Sequence, residues 1–209
     1  IPEIEHRTHI HLLVIIYGGE VARQNASRAL AILGKESPEA VVPALAKALE
    51  ETQSNDVRSK IAETLGMIGK ASTPAVPALA EALEETQSDD VRSKIAEALG
   101  MIGKESPEAV VPALAKALQE TGSEHVRSNI AEALAILGKA STPAVPALIK
   151  ALDETQNDDV QSKIAEALGM IGKASTPAVP ALIKALQETQ SNDVRSKIAE
   201  ALGMIGKES

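Results

Sequence analysis

The sequence predicts an all-α solenoid of about six stacked helix pairs, and three observations carry that prediction. The segment Asp56–Lys70 (DVRSKIAETLGMIGK) returns almost verbatim at 90–104, 159–173 and 193–207, with more drift at 125–139. A looser copy runs from Arg23 to Lys35. The closing glycines Gly34, Gly69, Gly103, Gly138, Gly172 and Gly206 stand 35, 34, 35, 34 and 34 residues apart, a period that marks a stacked array. Finally, 44% of the 209 residues are apolar, yet Phe and Trp are absent and Tyr17 is the sole aromatic. An interior restricted to Leu, Ile, Val, Ala and Met suits thin layers of closely approaching helices, each contacting only its neighbours.

Residues 1–36 form a divergent first repeat of the kind that ends such arrays. His9 to Tyr17 is apolar enough for a helix, Gly18-Gly19 breaks it, and Glu20 to Leu33 forms a second. Five repeats follow, over 37–71, 72–105, 106–140, 141–174 and 175–209. Their first helices are expected to open at Ser37-Pro38, Thr73-Pro74, Ser106-Pro107, Thr142-Pro143 and Thr176-Pro177, where a hydroxyl cap precedes a proline suited to the first helical position. A second proline (Pro43, Pro77, Pro112, Pro146 or Pro180) falls in or just beyond the first turn, where at most one backbone bond is lost. The apolar set Val42, Leu45, Ala48 and Leu49 recurs as Val76, Leu79, Ala82 and Leu83. The two forms of repeat differ by one residue, which the turn ahead of this set should absorb.

The second helices are capped by Ser54, Ser88, Ser123, Asn157 and Ser191. At about 100° per residue, Val57, Ile61, Leu65 and Ile68 share one apolar sector, with Ser59 and Glu63 facing away. Gly66 is replaced by Ala31 and Ala135 in sister repeats, so it needs only to be small. The closing glycine never varies, as expected of a left-handed residue that stops a helix.

Net charge is −8 and pI about 5.1, which argues against a nucleic-acid partner. The longest apolar run, Leu12 to Tyr17, is too short to span a bilayer and lacks the basic flank of a signal peptide, so no membrane partner and a cytoplasmic location are expected. Without cysteine there is neither a disulfide nor a thiolate nucleophile. No serine lies beside a His–Asp relay, and acidic pairs such as Glu50-Glu51 and Asp89-Asp90 read as solvated helix ends. His6, His9 and His11 have no fixed acidic or thiol partner and read as a polar helix edge. No catalytic set, metal or cofactor is therefore expected. The ending Lys207-Glu208-Ser209 matches Lys35-Glu36-Ser37, and the chain reads as a piece of something longer.

Val-Pro-Ala-Leu in the first helix (Val42–Leu45, Val76–Leu79), followed by Ala-Leu, combines with Asp-Val-Arg and Ala-Glu-Ala-Leu-Gly in the second. In this the chain resembles HEAT repeats of the short bacterial, phycobilisome-lyase-like type, and artificial consensus HEAT arrays. The resemblance is strong over 37–209 and weak over 1–36. It implies a right-handed superhelix whose second helices line a concave surface. It also implies an inter-repeat ladder of linker Asp and second-helix Arg at Asp56/Arg58, Asp90/Arg92 and Asp193/Arg195, broken where His125 and Gln161 intervene.

On that surface the sequence places Ser59/Glu63 and its copies, edged by lysines. A parallel stripe of Ile32, Met67, Met101, Ile136, Met170 and Met204 reads as filling between helices. Repeats this similar on their surfaces suit an extended or repetitive partner. The expected role is a non-enzymatic scaffold for a protein or peptide. Its candidate contacts are Lys60, Glu63, Lys94, Glu97, Glu132, Lys163, Glu166, Lys197 and Glu200, with His125 and Asn129 in the most divergent unit. The alternatives are a bilin lyase or isomerase subunit, implied only by the type of repeat, and self-association through the last repeat, where Leu202 and Ile205 should be exposed.

Overall fold

The structure is a computed structural model describing residues 2–207. Two compact units divide it, the first ending at Ser106 and the second beginning at Pro107. In the first, α1 (Pro2–Tyr17), α2 (Glu20–Glu36), α3 (Pro38–Glu51), α4 (Asn55–Ile68), α5 (Val76–Glu85) and α6 (Asp89–Gly103) form three pairs. In the second, the pairs are α7 (Pro107–Glu120) and α8 (Glu124–Leu137), α9 (Val145–Glu154) and α10 (Asp158–Ile171), and α11 (Val179–Glu188) and α12 (Asn192–Lys207). No strand occurs among the described residues.

The second helices begin where their caps stand. Ser54, Ser88, Ser123 and Ser191 each accept the backbone N–H three residues on, at 3.4 Å, and Asn157 does so at 3.1 Å. A second lock lies two residues earlier. Thr52, Thr86, Thr121, Thr155 and Thr189 accept the N–H of the cap residue through Oγ1, at 3.1–3.3 Å. The linker that reads merely as polar is thus a fixed hydroxyl turn, and four of the five threonines are buried.

First helices depart from expectation in three repeats. Gly69–Ala75, Gly138–Ala144 and Gly172–Ala178 wind as 3-10 turns, and α5, α9 and α11 start only at the following valine. The Thr-Pro pairs lie inside those turns. Thr73, Thr142 and Thr176 donate their hydroxyls back to the carbonyls of Lys70, Lys139 and Lys173, at 2.6–2.8 Å, and cap nothing. The second proline becomes the helix-start signal instead, sitting in the first turn of α5, α9 and α11. In the longer form α3 and α7 do open at Pro38 and Pro107, though Ser37 makes no side-chain cap. The packed face is the same in both: Val42, Leu45, Ala48 and Leu49, like Val76, Leu79, Ala82 and Leu83, are buried.

The closing glycines also divide by the linker that follows. Gly69, Gly138 and Gly172 precede Lys-Ala-Ser-Thr-Pro and have φ of 75°, 55° and 74°. Their ψ of −135°, −128° and −139° lies outside the left-handed helical region, in one that only glycine enters readily. Gly34 and Gly103 precede Lys-Glu-Ser-Pro and stay helical, as does Gly206. The expectation of one backbone role for all six is therefore wrong. At Gly34 the requirement is space, since an added Cβ would meet the Ile68 side chain at 2.4 Å and Val41 at 3.4 Å.

In the first unit α4 packs between α2 and α6, and in the second α10 packs between α8 and α12. Val57, Ile61, Leu65 and Ile68 are all buried. At Gly66 a Cβ would stand 3.0 Å from Ala98 Cα, so this glycine sets how closely α6 approaches α4. The α2–α4 contact is different in kind. Ser27 and Thr64, both fully buried, share a hydrogen bond of 2.7 Å. Thr64 already donates to the Lys60 carbonyl, so Ser27 is the donor to Thr64. The corresponding residues of α8 and α10 are Ala131 and Ala167. Thr64→Ala, which strands the Ser27 hydroxyl, should cost about 1 kcal/mol, and adding Ser27→Ala should recover most of it. A urea-denaturation double-mutant cycle checks this; strictly additive losses would refute the coupling.

The Asp–Arg ladder is realised between helices as Arg23–Asp56, at 3.5 Å. Other ties replace it. Arg127 pairs with Glu124 at 2.8 Å in the absence of an aspartate at 125, and Thr155 donates to Glu124 at 2.7 Å. Gln161 donates to the Thr155 carbonyl as Arg195 does to that of Thr189. The middle of the array, expected to be broken, is bonded by other groups. Ile205 is 3% exposed, against expectation, because it belongs to the apolar sector that α12 turns toward its own repeat. Leu202 is half-buried.

Candidate functional site

On each second helix a line of exposed or half-buried residues runs at spacing i, i+4, i+7 and i+11, which stays within a sector of about 60°. In the first unit these are Val21, Asn25, Arg28 and Ile32 on α2, Asp56, Lys60, Glu63 and Met67 on α4, and Asp90, Lys94, Glu97 and Met101 on α6. In the second they are His125, Asn129, Glu132 and Ile136 on α8, Asp159, Lys163, Glu166 and Met170 on α10, and Asp193, Lys197, Glu200 and Met204 on α12. Along most of these helices the line starts acidic or polar, passes through a lysine and a glutamate, and ends apolar.

The lysines are not free cations. Lys60 Nζ, with its side chain only 13% exposed, donates to Gln24 at 2.5 Å and to Glu63 at 2.7 Å. Lys94 pairs with Glu97 at 2.9 Å and Lys197 with Glu200 at 3.6 Å, each one turn along its helix. Lys163 instead crosses to Glu132 of α8, at 3.2 Å. Asn129 donates to the His125 carbonyl at 2.9 Å, and its amide lies 3.5 Å from the His125 ring. All eleven candidate contacts therefore lie on the lines of their own helices, and most of their charges are paired with one another.

Two expectations fail here. Ser93 and Ser128 are buried, not surface residues, and Ser128 donates to Asp159 of the next second helix, which covers it. The Met stripe is more than filling. Met101 is 36% exposed, Met170 46%, Ile136 52% and Ile32 61%. The methionine tips do lean backward: Met101 Cε lies 2.4 Å from where a Gly66 Cβ would stand, and Met204 Sδ 3.3 Å from that of Gly169. An unbranched thioether can cover the preceding glycine and still present its flank. The sequence offered a signal for this, because the stripe and the Lys–Glu row share one helical sector.

Two further clefts lie off the line. One, of about 670 Å³, runs between α1, α3 and the Thr52–Ser54 linker, with His9, Leu13, Tyr17 and Lys47 on its walls. The other lies between α9 and α11, where Lys184 meets Asp153 at 3.1 Å. The Asp153 hydrogen bond and charge, helped by Glu188, raise the Lys184 pKa. No group of three or more His, Cys, Asp or Glu arranged to hold a metal occurs among the described residues. No helix among them is long and apolar enough to cross a membrane.

Capped helix pairs with glycine-gated second helices and an exposed repetitive face define a helical-repeat protein of the α-solenoid class. The chain belongs to the HEAT-repeat family, whose family model matches residues 19–100, 76–169 and 145–209. No curated protein matches it. Among solved structures it is similar to an engineered protein, at 21% identity over 96% of this chain and 98% of the other, with a TM-score of 0.65. It is also similar to the karyopherin Kap121p bound to Nup53p, at 18% identity and a TM-score of 0.61, over 96% of this chain and 23% of that one. A third likeness is to the CpcE–CpcF complex of phycocyanin lyase from Nostoc sp. PCC7120, at 18% identity and a TM-score of 0.50, over 93% and 97%. At these identities the likenesses speak for the fold.

Proposed function

We propose that the chain is a non-enzymatic protein-interaction scaffold that binds a protein or peptide along the accessible lines of its second helices. The observation that carries this is the exposure, within each unit, of apolar residues at the ends of these lines: Ile32 and Met101 in the first, Ile136 and Met170 in the second. Covering each of these side chains contributes on the order of 1 kcal/mol. The flanking ion pairs, worth about 0.2–1 kcal/mol each when exposed, can be exchanged for pairs with a partner at little cost. The partner-contact set is Lys60, Glu63, Lys94, Glu97, His125, Asn129, Glu132, Lys163, Glu166, Lys197 and Glu200. A related fold, Kap121p, has been solved with Nup53p bound, which is in keeping with this reading.

Peptides selected from a display library against the chain provide the test. Their affinity should fall by at least about tenfold, or ~1.4 kcal/mol, for Met101→Glu with Met170→Glu, and hold for Lys47→Glu on α3. Selected peptides indifferent to the methionine pair would end the proposal. The bilin-lyase alternative has support only from the fold of CpcE–CpcF; covalent attachment of phycocyanobilin to an apo-phycobiliprotein by this chain would overturn the non-enzymatic reading.

A further inference from the structure

Arg127 on α8 is held between two carboxylates. It meets Glu124 on its own helix at 2.8 Å and Glu154, at the end of the next first helix, at 3.7 Å. One repeat later, 34 residues on, the same three places are filled by Gln161, Asp158 and Glu188. Both acids are kept and the arginine is gone. Every other second helix from α4 onward has it, as Arg58, Arg92, Arg127 or Arg195.

What remains is a cavity of about 240 Å³ with Gln161, Asp158 and Glu188 on its walls, beside Asp153, Lys184 and Thr189. It stays open because Gln161 is shorter than arginine and Asp158 is a methylene shorter than Glu124. Gln161 donates its amide to the Thr155 carbonyl at 3.2 Å, but its Oε1 is buried with no hydrogen-bond partner. A bare buried acceptor is unfavourable, and a donor entering the cavity relieves it. Neither Asp158 nor Glu188 has an ion-pair partner within 4 Å among the described residues. Lys184 is the obvious substitute for the missing arginine, since Lys150 meets Glu154 at 3.8 Å one turn along α9. It is drawn to Asp153 instead, at 3.1 Å. Lys150 has Gln119 in the corresponding place and stays with Glu154. Both walls of the cavity belong to consecutive repeats within the chain, as do both partners of Arg127.

We propose that this cavity receives a guanidinium group from outside the chain, the side chain of an arginine carried by a peptide. The recognising chemistry is that of Arg127: a planar fork of N–H donors between two carboxylates, here with the Gln161 oxygen as a third acceptor. At about 240 Å³ the cavity is smaller than the roughly 300–1,000 Å³ of small-molecule pockets and suits one side chain. An ammonium is a point charge without the fork, so lysine is the poorer match. The site lies between α9 and α11, off the lines that carry Met101 and Met170, and so goes beyond the reading above.

Nuclear magnetic resonance titration of the isotope-labelled chain with N-acetyl-argininamide reads the site through the Thr155, Gln161 and Thr189 amides. Saturable shifts should appear there, at least about threefold tighter than with N-acetyl-lysinamide. Gln161→Arg fills the cavity with the residue that four sister helices carry, so the fold is kept and the shifts should vanish. Asp153→Asn, which returns Lys184 to Glu188, should weaken binding several-fold. Free arginine should bind more weakly than the blocked form, because its α-carboxylate enters beside three acids. Absence of saturable shifts, undiminished binding by Gln161→Arg, or lysinamide binding as tightly overturns the proposal. Free arginine binding more tightly than the blocked form also overturns it, by assigning the cavity to the amino acid. None of these measurements involves Met101 or Met170, so the peptide-binding reading stands or falls separately.

Discussion

Leu168→Ala should lower the unfolding free energy by about 3 kcal/mol, while Leu202→Ala costs less than about half of that. The two leucines sit in the same eleven-residue sequence, so helix propensity and local contacts are alike. They differ in cover. Leu168 is 0% exposed, with a second helix on either side, and its truncation leaves a cavity that close-packed neighbours fill poorly. Leu202 is half-buried, and water can enter the space it vacates. Urea titrations followed by circular dichroism, at concentrations low enough to keep the chain monomeric, measure both. Equal losses would mean that α12 is as covered as α10.

Gly69→Ala and Gly206→Ala should move stability in opposite directions, although both glycines stand in Met-Ile-Gly-Lys. At neither position would a Cβ touch another atom within 4 Å, so packing is not at issue. Gly69 has φ of 75° and ψ of −135°, and an alanine held there costs about 2 kcal/mol. Gly206 lies in the last turn of α12, where alanine is still favoured over glycine, by less than the roughly 1 kcal/mol of a helix interior. Thermal melts of the two variants suffice. A stabilising Gly69→Ala would show that the helix can run through position 69 and that the 3-10 turn after it is not fixed.

Much of this fold could be read directly from residue order. The caps at Ser54 and its copies were legible because a hydroxyl beside a free N–H is a contact within four residues. The buried sector of Val57, Ile61 and Leu65 was legible because burial of a helix face needs only the 3.6-residue period. The start of α5 was not. Thr73-Pro74 carries the chemistry of a helix cap, but its hydroxyl turns back to the Lys70 carbonyl once the chain has bent at Gly69. The candidate contacts share one helical line, yet Ser128 of the serine row beside them went under the next helix. Burial of Ser128 depends on Asp159, which stands thirty-one residues away.

By itself, then, the sequence determined the helix pairs, their caps and the side each pair hides, since those follow from hydrogen bonds and periodicities spanning a few residues. Only the tertiary structure decided which of two identical segments is covered, which closing glycine leaves the helix, and that methionines fill and face outward at once. Exposure is set by what stacks on a helix, and a repeated segment carries no record of its neighbour.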